Sequence, residues 1–241
     1  MDSIFEPVEN RETLSRQVMK QIENSIRNKV LLPSEKLPTE VDMAGLFGVS
    51  RPVVREALQM LSSRGLISIQ KGSGAFVNEY SDALAFNPMR LYLELHLGKD
   101  LILQIAEMRL WLEPNIARLA AQNRNNQDIA ALRDIMNRLS ELDENDHHAQ
   151  GEVDRDFHLY LANSTKSMVI PIIMEPLYQM LPKITELIRD LVEHTQEIAV
   201  DYHRRIFEHI IAGDFDGAFE EMDNHMKTAY EHSLIAAEKM K

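Results

Sequence analysis

The chain of 241 residues contains no cysteine. Disulfide bonds and thiolate metal sites are therefore excluded, and nothing indicates an oxidising compartment. The N-terminus lacks the basic-then-apolar layout of a signal peptide. No apolar run approaches the length that crosses a bilayer, and the longest candidate, residues 168–174, contains a proline. These absences predict a cytoplasmic protein without a membrane segment.

Internal repeats, low-complexity tracts, a Gly-rich phosphate loop and a nucleophile elbow are also absent. The remaining composition, with 44% hydrophobic and 27% charged residues, is that of an ordinary globular protein. The length is sufficient for two domains that each bury their own core.

The charge is divided unevenly between the two parts of the chain. The net charge is −12, but residues 1–78 carry ten Lys/Arg and nine Asp/Glu, whereas the other 163 residues carry sixteen and twenty-nine. An acidic C-terminal part cannot lie along phosphates. Any contact with nucleic acid is therefore expected from residues 1–78.

The start of the chain has the pattern of two helices. Thr13 precedes a segment with apolar residues at every fourth position, which predicts a capped amphipathic helix. Thr39 and Asp42 have capping-box spacing at the start of a second, short helix, and Gly48 follows as its end.

A third helix and a β-hairpin complete this part. Ser50 is placed to cap a helix over residues 51–64 that has one apolar face. Residues 66–70 and 75–77 alternate as strands do, and the Gly-rich segment 71–74 is the turn between them. The order of elements predicts a winged helix-turn-helix domain over residues 1–78.

Three basic residues of this domain are candidates for DNA contact. Arg51 and Arg55 lie one turn apart at the exposed start of the third helix, where they can reach base edges or phosphates in the major groove. Lys71 lies at the predicted wing tip. The alternative is a small αβ domain whose arginines are only solvated.

Residues 37–77 resemble the winged-helix signature of the GntR family of bacterial regulators without a gap. The most specific parts are Gly-Val-Ser-Arg at 48–51 and Val-Arg-Glu-Ala-Leu at 54–58. The resemblance implies contacts with double-stranded DNA, or assistance from the wing, at Ser50, Arg51, Arg55, Lys71 and Gly72. Val41 occupies a position where the family usually has an arginine, which implies a different operator affinity or sequence preference.

After a connector and linking helix at residues 79–99, helix signals dominate residues 100–241. The polar segment 78–87 has no strong pattern. Helices are predicted at about 88–97, 100–123, 127–147, 151–165, 168–193, 195–212 and 215–240. Prolines in the segment 168–193 predict a kink or break near its start. The fold class is therefore mainly α, with an antiparallel helical bundle after the winged helix.

One arginine occupies an inward position of the helix at 100–123. The apolar stripe with three–four spacing runs through Ile102, Ile105, Arg109, Leu112, Ile116 and Leu119. A buried guanidinium is costly unless it is paired. Arg109 either pairs with Glu113, one turn further on, or binds an anionic ligand such as a carboxylate.

Histidines also occupy inward positions on three predicted helices. Asp154 and His158 lie one turn apart, and His203 and His225 each interrupt an apolar stripe. Together they indicate a metal site of nitrogen and oxygen ligands, although a single buried histidine is more often a hydrogen-bonded core residue. His232 shares a stripe with His225, and the spacing does not choose between them.

Three segments, at 107–121, 154–165 and 201–226, resemble signatures of the FCD ligand-binding domain that defines the FadR subfamily of GntR regulators. That domain is a bundle of six or seven helices. The resemblance implies one divalent ion, zinc first and otherwise nickel, manganese or iron, held by Asp154, His158, His203 and His225. It implies an effector carboxylate at the ion with Arg109 as second anchor, and Asn163 in the same pocket.

These features predict a ligand-responsive transcriptional regulator, most simply a repressor, that binds a palindromic operator as a homodimer. Its effector is expected to be a small carboxylate, such as a hydroxy acid, a dicarboxylate or a sugar acid. One alternative is a metal-dependent hydrolase or lyase fused to a winged helix, although no general base is evident beyond Asp154. Another is a purely structural metal that holds the bundle together.

Overall fold

The computed structural model of the protein describes residues 12–79, 82–142 and 146–240, without the side chains of 82–85. The first residues of the chain, whose sequence is unlike a signal peptide, lie outside the described residues. Positions 143–145 of the helix predicted for 127–147 lie outside them as well. The chain divides into two compact units, Met1–Leu84 and Ala85–Lys241. The division lies inside the connector that the sequence predicts at 79–99.

The first unit contains the predicted helices and hairpin. Its elements are α1 (Leu14–Arg27), α2 (Glu40–Phe47), α3 (Arg51–Ser63), β1 (Ile67–Gln70) and β2 (Gly74–Val77). The hydroxyl of Thr13 caps α1, Thr39 and Asp42 form the predicted capping box of α2, and Gly48 ends α2. Ser50 is at the N-cap of α3, but its side chain makes no capping hydrogen bond.

The wing has an additional backbone pairing that the sequence analysis did not predict. β1 and β2 pair antiparallel, with Ile67 opposite Val77. On the other side of β2, the backbone N–H of Leu37 donates to the carbonyl of Ala75, and Val77 N–H donates to Glu35. α1 and α3 pack together over the apolar face of this hairpin region. The predicted winged helix-turn-helix is confirmed.

Every secondary-structure element described in the second unit is an α-helix. Its elements are α5 (Lys99–Asn123), α6 (Asn126–Glu141), α7 (His147–Ser164), α8 (Val169–Tyr178), α9 (Leu181–Arg189), α10 (Thr195–Ala212) and α11 (Phe215–Lys239), and α4 (Asp82–Leu95) precedes them. The two longest, α5 and α11, pack along each other, and α7 packs on α5, α6, α8 and α9. The predicted fold class is confirmed. None of the described helices is both long and apolar enough to span a membrane.

Three predicted helix boundaries are wrong. α4 begins at Asp82 rather than at residue 88, and it accommodates Pro88 in its interior. The segment predicted as one helix at 168–193 is two helices, which separate just before Pro182 because a proline is favoured in the first turn of a new helix. Gly151, taken as the start of a helix, lies inside α7.

Gly151 is required by a close approach between α7 and α9. A β-carbon at this position would lie 2.9 Å from the Cα atom of Pro182 and 2.9 Å from the hydroxyl oxygen of Thr185. Because backbone atoms cannot move aside as a flexible side chain can, only glycine fits here without a shift of one helix. The residue therefore marks a helix contact rather than a helix end.

The buried face of α5 differs from the predicted stripe. Leu112 and Leu119 are exposed, whereas Glu113, Ala117 and Ala120 are buried. Hydrophobicity alone favours a leucine over a glutamate inside. In α5 the glutamate is buried and the leucine is exposed. The reason is that Glu113 has two polar partners in the interior, which remove most of the cost of burying its charge.

We expect the substitution Gly151→Ser to lower the free energy of unfolding by about 1–3 kcal/mol, because the added atoms overlap α9. Chemical denaturation followed by circular dichroism measures the change. Gly98→Ser is the matched control, because Gly98 is the N-cap of α5 and a β-carbon there meets only one carbonyl oxygen, at 4.0 Å. Equal stability of the two variants would contradict the close approach.

Candidate metal centre and DNA-binding surface

Four buried side chains from three helices come together in the second unit. Asp154 and His158 lie one turn apart on α7, His203 lies on α10 and His225 on α11. One potential ligand atom from each lies within 4.8 Å of the others. The structure therefore unites the four residues that the sequence analysis selected for a metal site.

The separations in this cluster match those of ligands around one ion. His203 Nε2 lies 3.1 Å from His225 Nε2 and 3.3 Å from His158 Nε2. Asp154 Oδ1 lies 3.4 Å from His203 Nε2 and 3.8 Å from His158 Nε2. Ligands bound at about 2.1 Å to a shared ion are roughly 3.0–3.4 Å apart in octahedral or tetrahedral geometry. The donor set fits a divalent ion of the first transition row.

The electrostatics of the cluster favour a bound cation. Burial lowers the pKa of His203 to about 3, although Asp154 opposes the effect. Burial and the neighbouring His203 and His158 lower the pKa of His225 well below its usual value. These two imidazoles are therefore neutral, as metal binding requires. In the tautomers whose Nε2 atoms carry no proton, the converging nitrogens present lone pairs to one another, and a cation among them removes that repulsion.

Glu113 connects the cluster to Arg109. Its Oε1 accepts a hydrogen bond from Arg109 Nε at 2.5 Å, and its Oε2 lies 2.5 Å from His158 Nδ1. Burial raises the pKa of Glu113, but Arg109 and His158 outweigh burial and hold it at about 2. A carboxylate at Nδ1 places the proton of a neutral His158 on that nitrogen. The lone pair on Nε2 then faces the cluster.

Arg109 pairs with Glu113, which is one of the two alternatives that the sequence left open. Its Nη2 also lies 3.1 Å from His158 Nε2, so the guanidinium adjoins the metal centre. The contact between Glu113 and His158 was missed because it joins two helices that are distant in sequence. The sequence feature that could have indicated this contact is the acidic Glu113, one turn from the inward Arg109.

A cavity opens beside the cluster. Arg109, Asp154 and His225 line it. Most of its wall is apolar and includes Ile102, Ile105, Ile184, Ile188, Ile198 and Met226. A concave space whose apolar wall is interrupted by polar groups, here including Arg109, Arg189 and Thr228, is typical of a small-molecule site.

Two further residues of the sequence analysis have different positions relative to this cavity. His232 is half-buried and lines the cavity, but it is outside the four-residue cluster. Asn163 is exposed near the end of α7 and does not line the cavity. Five residues correspond to about 500° of helix rotation, so Asn163 points away from the face that carries His158.

The start of α3 presents the predicted DNA-contacting residues to solvent. Ser50, Arg51 and Arg55 are exposed. Glu40 of α2 accepts two hydrogen bonds from Arg55, at 3.0 and 2.6 Å, and the hydrogen bond lowers the pKa of Glu40. Arg51 Nη2 is 4.0 Å from the same carboxylate. Glu40 therefore orients Arg55 by hydrogen bonds, whereas Arg51 only adjoins the same carboxylate.

The wing lies on the same side of the first unit as Arg55. An open groove is lined by residues of α3 and the hairpin, among them Arg55 and Gly72, and by Lys36 of the segment before α2. Gly72 has a φ of 82°, which other residues rarely adopt, and Lys71 beside it is exposed. Lys36 was missed by the sequence analysis. Val41 is exposed and supplies no charge to this surface.

Two domain families match the chain. The family described as "Bacterial regulatory proteins, gntR family" matches residues 14–77, and the FCD domain matches residues 104–228, which is more than half of the 241 residues. The chain therefore belongs to the GntR family of bacterial regulatory proteins and contains an FCD domain.

Similar proteins agree with this assignment. The chain is 29% identical over 218 residues to the uncharacterized HTH-type transcriptional regulator YcbG of Bacillus subtilis, which covers 90% of this chain and 89% of that protein. It is 29% identical over 224 residues to the HTH-type transcriptional repressor NanR of Citrobacter rodentium, covering 90% and 84%. The solved structure of a Streptococcus agalactiae GntR protein has a TM-score of 0.70 at 21% identity, covers 90% of this chain and 99% of that chain, and supports the fold.

The protein is a DNA-binding transcriptional regulator with a separate effector domain. Its two domains and its relatives are those of regulators, and not of enzymes. The alternative of a metal-dependent hydrolase or lyase is therefore wrong.

We expect His225→Ala to lower the affinity for a divalent ion by about a hundred-fold or more, because one of four buried ligands is lost. Competition with a chromophoric chelator measures the affinity. His232→Ala is the matched control, since it removes a histidine from the same helix and the same cavity but not from the cluster. If His232→Ala lost the metal and His225→Ala retained it, the cluster would not be the metal site.

We expect Arg55→Ala to weaken binding to operator DNA by about ten- to a hundred-fold. Fluorescence anisotropy with DNA from upstream of the gene measures this at constant salt. Arg64→Ala is the control, because it removes the same charge from the other end of α3, where Arg64 pairs with Glu23. An equal loss in both variants would mean that only the total charge matters.

Proposed function

We propose that the protein is a repressor whose affinity for a palindromic operator is controlled by a small carboxylate bound at a divalent ion in the FCD domain. The observation that carries the proposal is the cluster of Asp154 and three histidines at the wall of a cavity beside Arg109. The repressor role is supported by the relative NanR, which is named as a repressor. Such a regulator acts at the chromosome, in the cytoplasm.

The metal ligands in this proposal are Asp154, His158, His203 and His225. A bound divalent ion would supply positive charge and, if it has more than four coordination positions, room for an effector oxygen. Zinc suits the imidazole and carboxylate ligands, and nickel, manganese and iron suit them too.

The charges around the site favour an anionic effector. Arg109 and Glu113 neutralise each other, and Asp154 balances one of the two charges of the ion. One positive charge then remains at the ion itself, in a buried position where an unpaired charge is costly. A single carboxylate of the effector balances it. Asn163 is not part of this proposal, because it is exposed.

The DNA contacts proposed are those of Ser50, Arg51, Arg55, Lys71 and Gly72. They come from two adjoining elements, the start of α3 and the wing tip. Two copies of this surface related by a two-fold axis suit the two half-sites of a palindrome. The effector changes DNA affinity to the extent that it binds the two states of the dimer differently.

A homodimer is supported by an exposed apolar stripe on α5. Met108, Trp111, Leu112 and Leu119 share this face, and Trp111 is 64% exposed. Large exposed apolar side chains in contiguous positions are typical of interfaces. A two-fold axis pairs the stripe with its own copy.

We expect Trp111→Glu to convert the dimer into a monomer, because the interface would have to bury two uncompensated carboxylates. Sedimentation velocity at micromolar protein concentration measures the oligomeric state. Met168→Glu is the control, since Met168 is 85% exposed in the same unit but lies away from α5 in the sequence. Persistence of the dimer in Trp111→Glu would place the interface elsewhere.

We expect the metal-loaded protein to release operator DNA when the correct small carboxylate is added, with a change in affinity of about 5- to 150-fold. Anisotropy titrations against a panel of acids, with metal and after chelation, measure this response. His225→Ala is expected to bind the operator normally but not to respond, whereas His148→Ala, which removes an exposed histidine of the same unit, responds. If chelation lowers the melting temperature but no acid acts on the metal-loaded protein, the metal is structural and the proposal is wrong.

A further inference from the structure

A second arginine lines the cavity beside the metal centre. Arg189 is the last residue of α9 and is partly buried. Its Nη1 donates a hydrogen bond to the backbone carbonyl of His147 at 2.8 Å, and its Nη2 donates to the side-chain oxygen of Gln196. Contacts with the starts of α7 and α10 thus fix the guanidinium in place.

Both of these partners are neutral, so the positive charge of Arg189 is not balanced by an ion pair. Among the residues that the structure describes, no carboxylate oxygen lies within 4.0 Å of its guanidinium. Burial lowers the pKa of Arg189, and the more distant Asp154 and Glu186 oppose that effect. The group remains protonated, because an arginine does not lose its proton in proteins.

The two arginines of the cavity are therefore in different states. Arg109 has a carboxylate partner in Glu113, whereas Arg189 has only neutral acceptors. Arg189 also shares no hydrogen bond or ion pair with the four-residue cluster among the described residues. The cavity thus offers two separate positions for negative charge.

Arg189 also lies where the cavity meets a second opening. Arg189, Thr195 and Gln196 line both the cavity beside the metal centre and an adjoining cavity near His147. Isoleucine side chains of α5 and α9 form part of the wall of the inner cavity, together with polar side chains such as Thr185 and Thr228. A ligand that reaches both positions therefore needs an anionic group at each end and a carbon chain between them.

We propose that Arg189 binds a second carboxylate of the effector, so that the protein responds to a small dicarboxylate rather than to a monocarboxylate. The inference rests on the proposed function, which places the first carboxylate at the metal centre. A guanidinium binds a carboxylate through two parallel hydrogen bonds, and a neutral or apolar end group leaves its charge unbalanced.

The test compares matched acids on the metal-loaded full-length chain by isothermal titration calorimetry. The pairs are succinate with butyrate, glutarate with valerate, and galactarate with galactonate. We expect at least one diacid to bind roughly ten- to a hundred-fold more tightly than its matched monoacid. Equal affinity within every pair would overturn the inference, while binding of both acids only in the presence of metal would leave the proposed function intact.

Variants at position 189 test the residue itself. Arg189→Gln is expected to reduce diacid affinity to that of the monoacid, without changing monoacid affinity or metal content. Arg189→Lys keeps the charge and is expected to retain part of the preference, and it also serves if the glutamine variant is unstable. Lys183→Gln is the matched control, because it removes one exposed positive charge from the same helix.

The outcomes separate the two proposals. If Arg189→Gln weakens both acids equally, or weakens neither, Arg189 does not bind a second carboxylate. If neither diacids nor monoacids bind the metal-loaded wild-type protein, the proposed carboxylate site itself is wrong, and this inference is wrong with it.

Discussion

The carboxylate of Glu113 lies between the guanidinium of Arg109 and the imidazole of His158, and the whole centre depends on this contact. A buried guanidinium that loses its partner is destabilising by about 3–5 kcal/mol. The same carboxylate lies at Nδ1 of His158, so that Nε2 faces Arg109 and the other residues of the cluster. One buried acid thus makes Arg109 tolerable in the core and orients a proposed metal ligand. The remaining charges then determine what the cavity attracts.

The sequence predicted the four-residue cluster because each member interrupts an apolar stripe, and a polar side chain at an inward position is a local signal. Spacing alone did not choose between His225 and His232, since two residues seven positions apart lie on the same helix face, and it was the resemblance to the FCD domain that assigned His225. The structure separates them, because only His225 is level with His158 and His203. Arg189 carried no signal at all. It ends a helix whose boundaries were predicted wrongly, and its position at the cavity follows from how α9 packs rather than from any periodicity.

The types of the elements could be predicted because their signals are local in the sequence. Some boundaries could not, because they depend on contacts between helices. Caps such as Thr39 with Asp42 act within one turn, so their chemistry can be read from the sequence alone. In the sequence, Gly151 cannot be distinguished from a glycine that ends a helix. A glycine is required at this position because the backbone of Pro182, on another helix, lies close to it. On the inner face of α5, Glu113 is buried where the sequence pattern predicted Leu112, and this difference is also caused by tertiary contacts. Its cause lies in His158, which a pattern within one helix does not include.

The charge distribution divides the two tasks of the protein, DNA binding and effector binding. Beyond residue 78 the chain has thirteen more acidic than basic residues, which disfavours contact of this part with phosphates. The same surplus would repel an acidic effector at long range, yet salt screens exposed charges beyond about 8 Å at physiological ionic strength. Inside the cavity the field is local, and the lining there includes Arg109 and Arg189 beside the proposed metal cluster. A domain with an acidic surface can therefore hold an acid, provided that positive charge is concentrated where solvent is excluded. The two arginines differ in whether a carboxylate already balances them, and that difference favours an effector with two carboxylates.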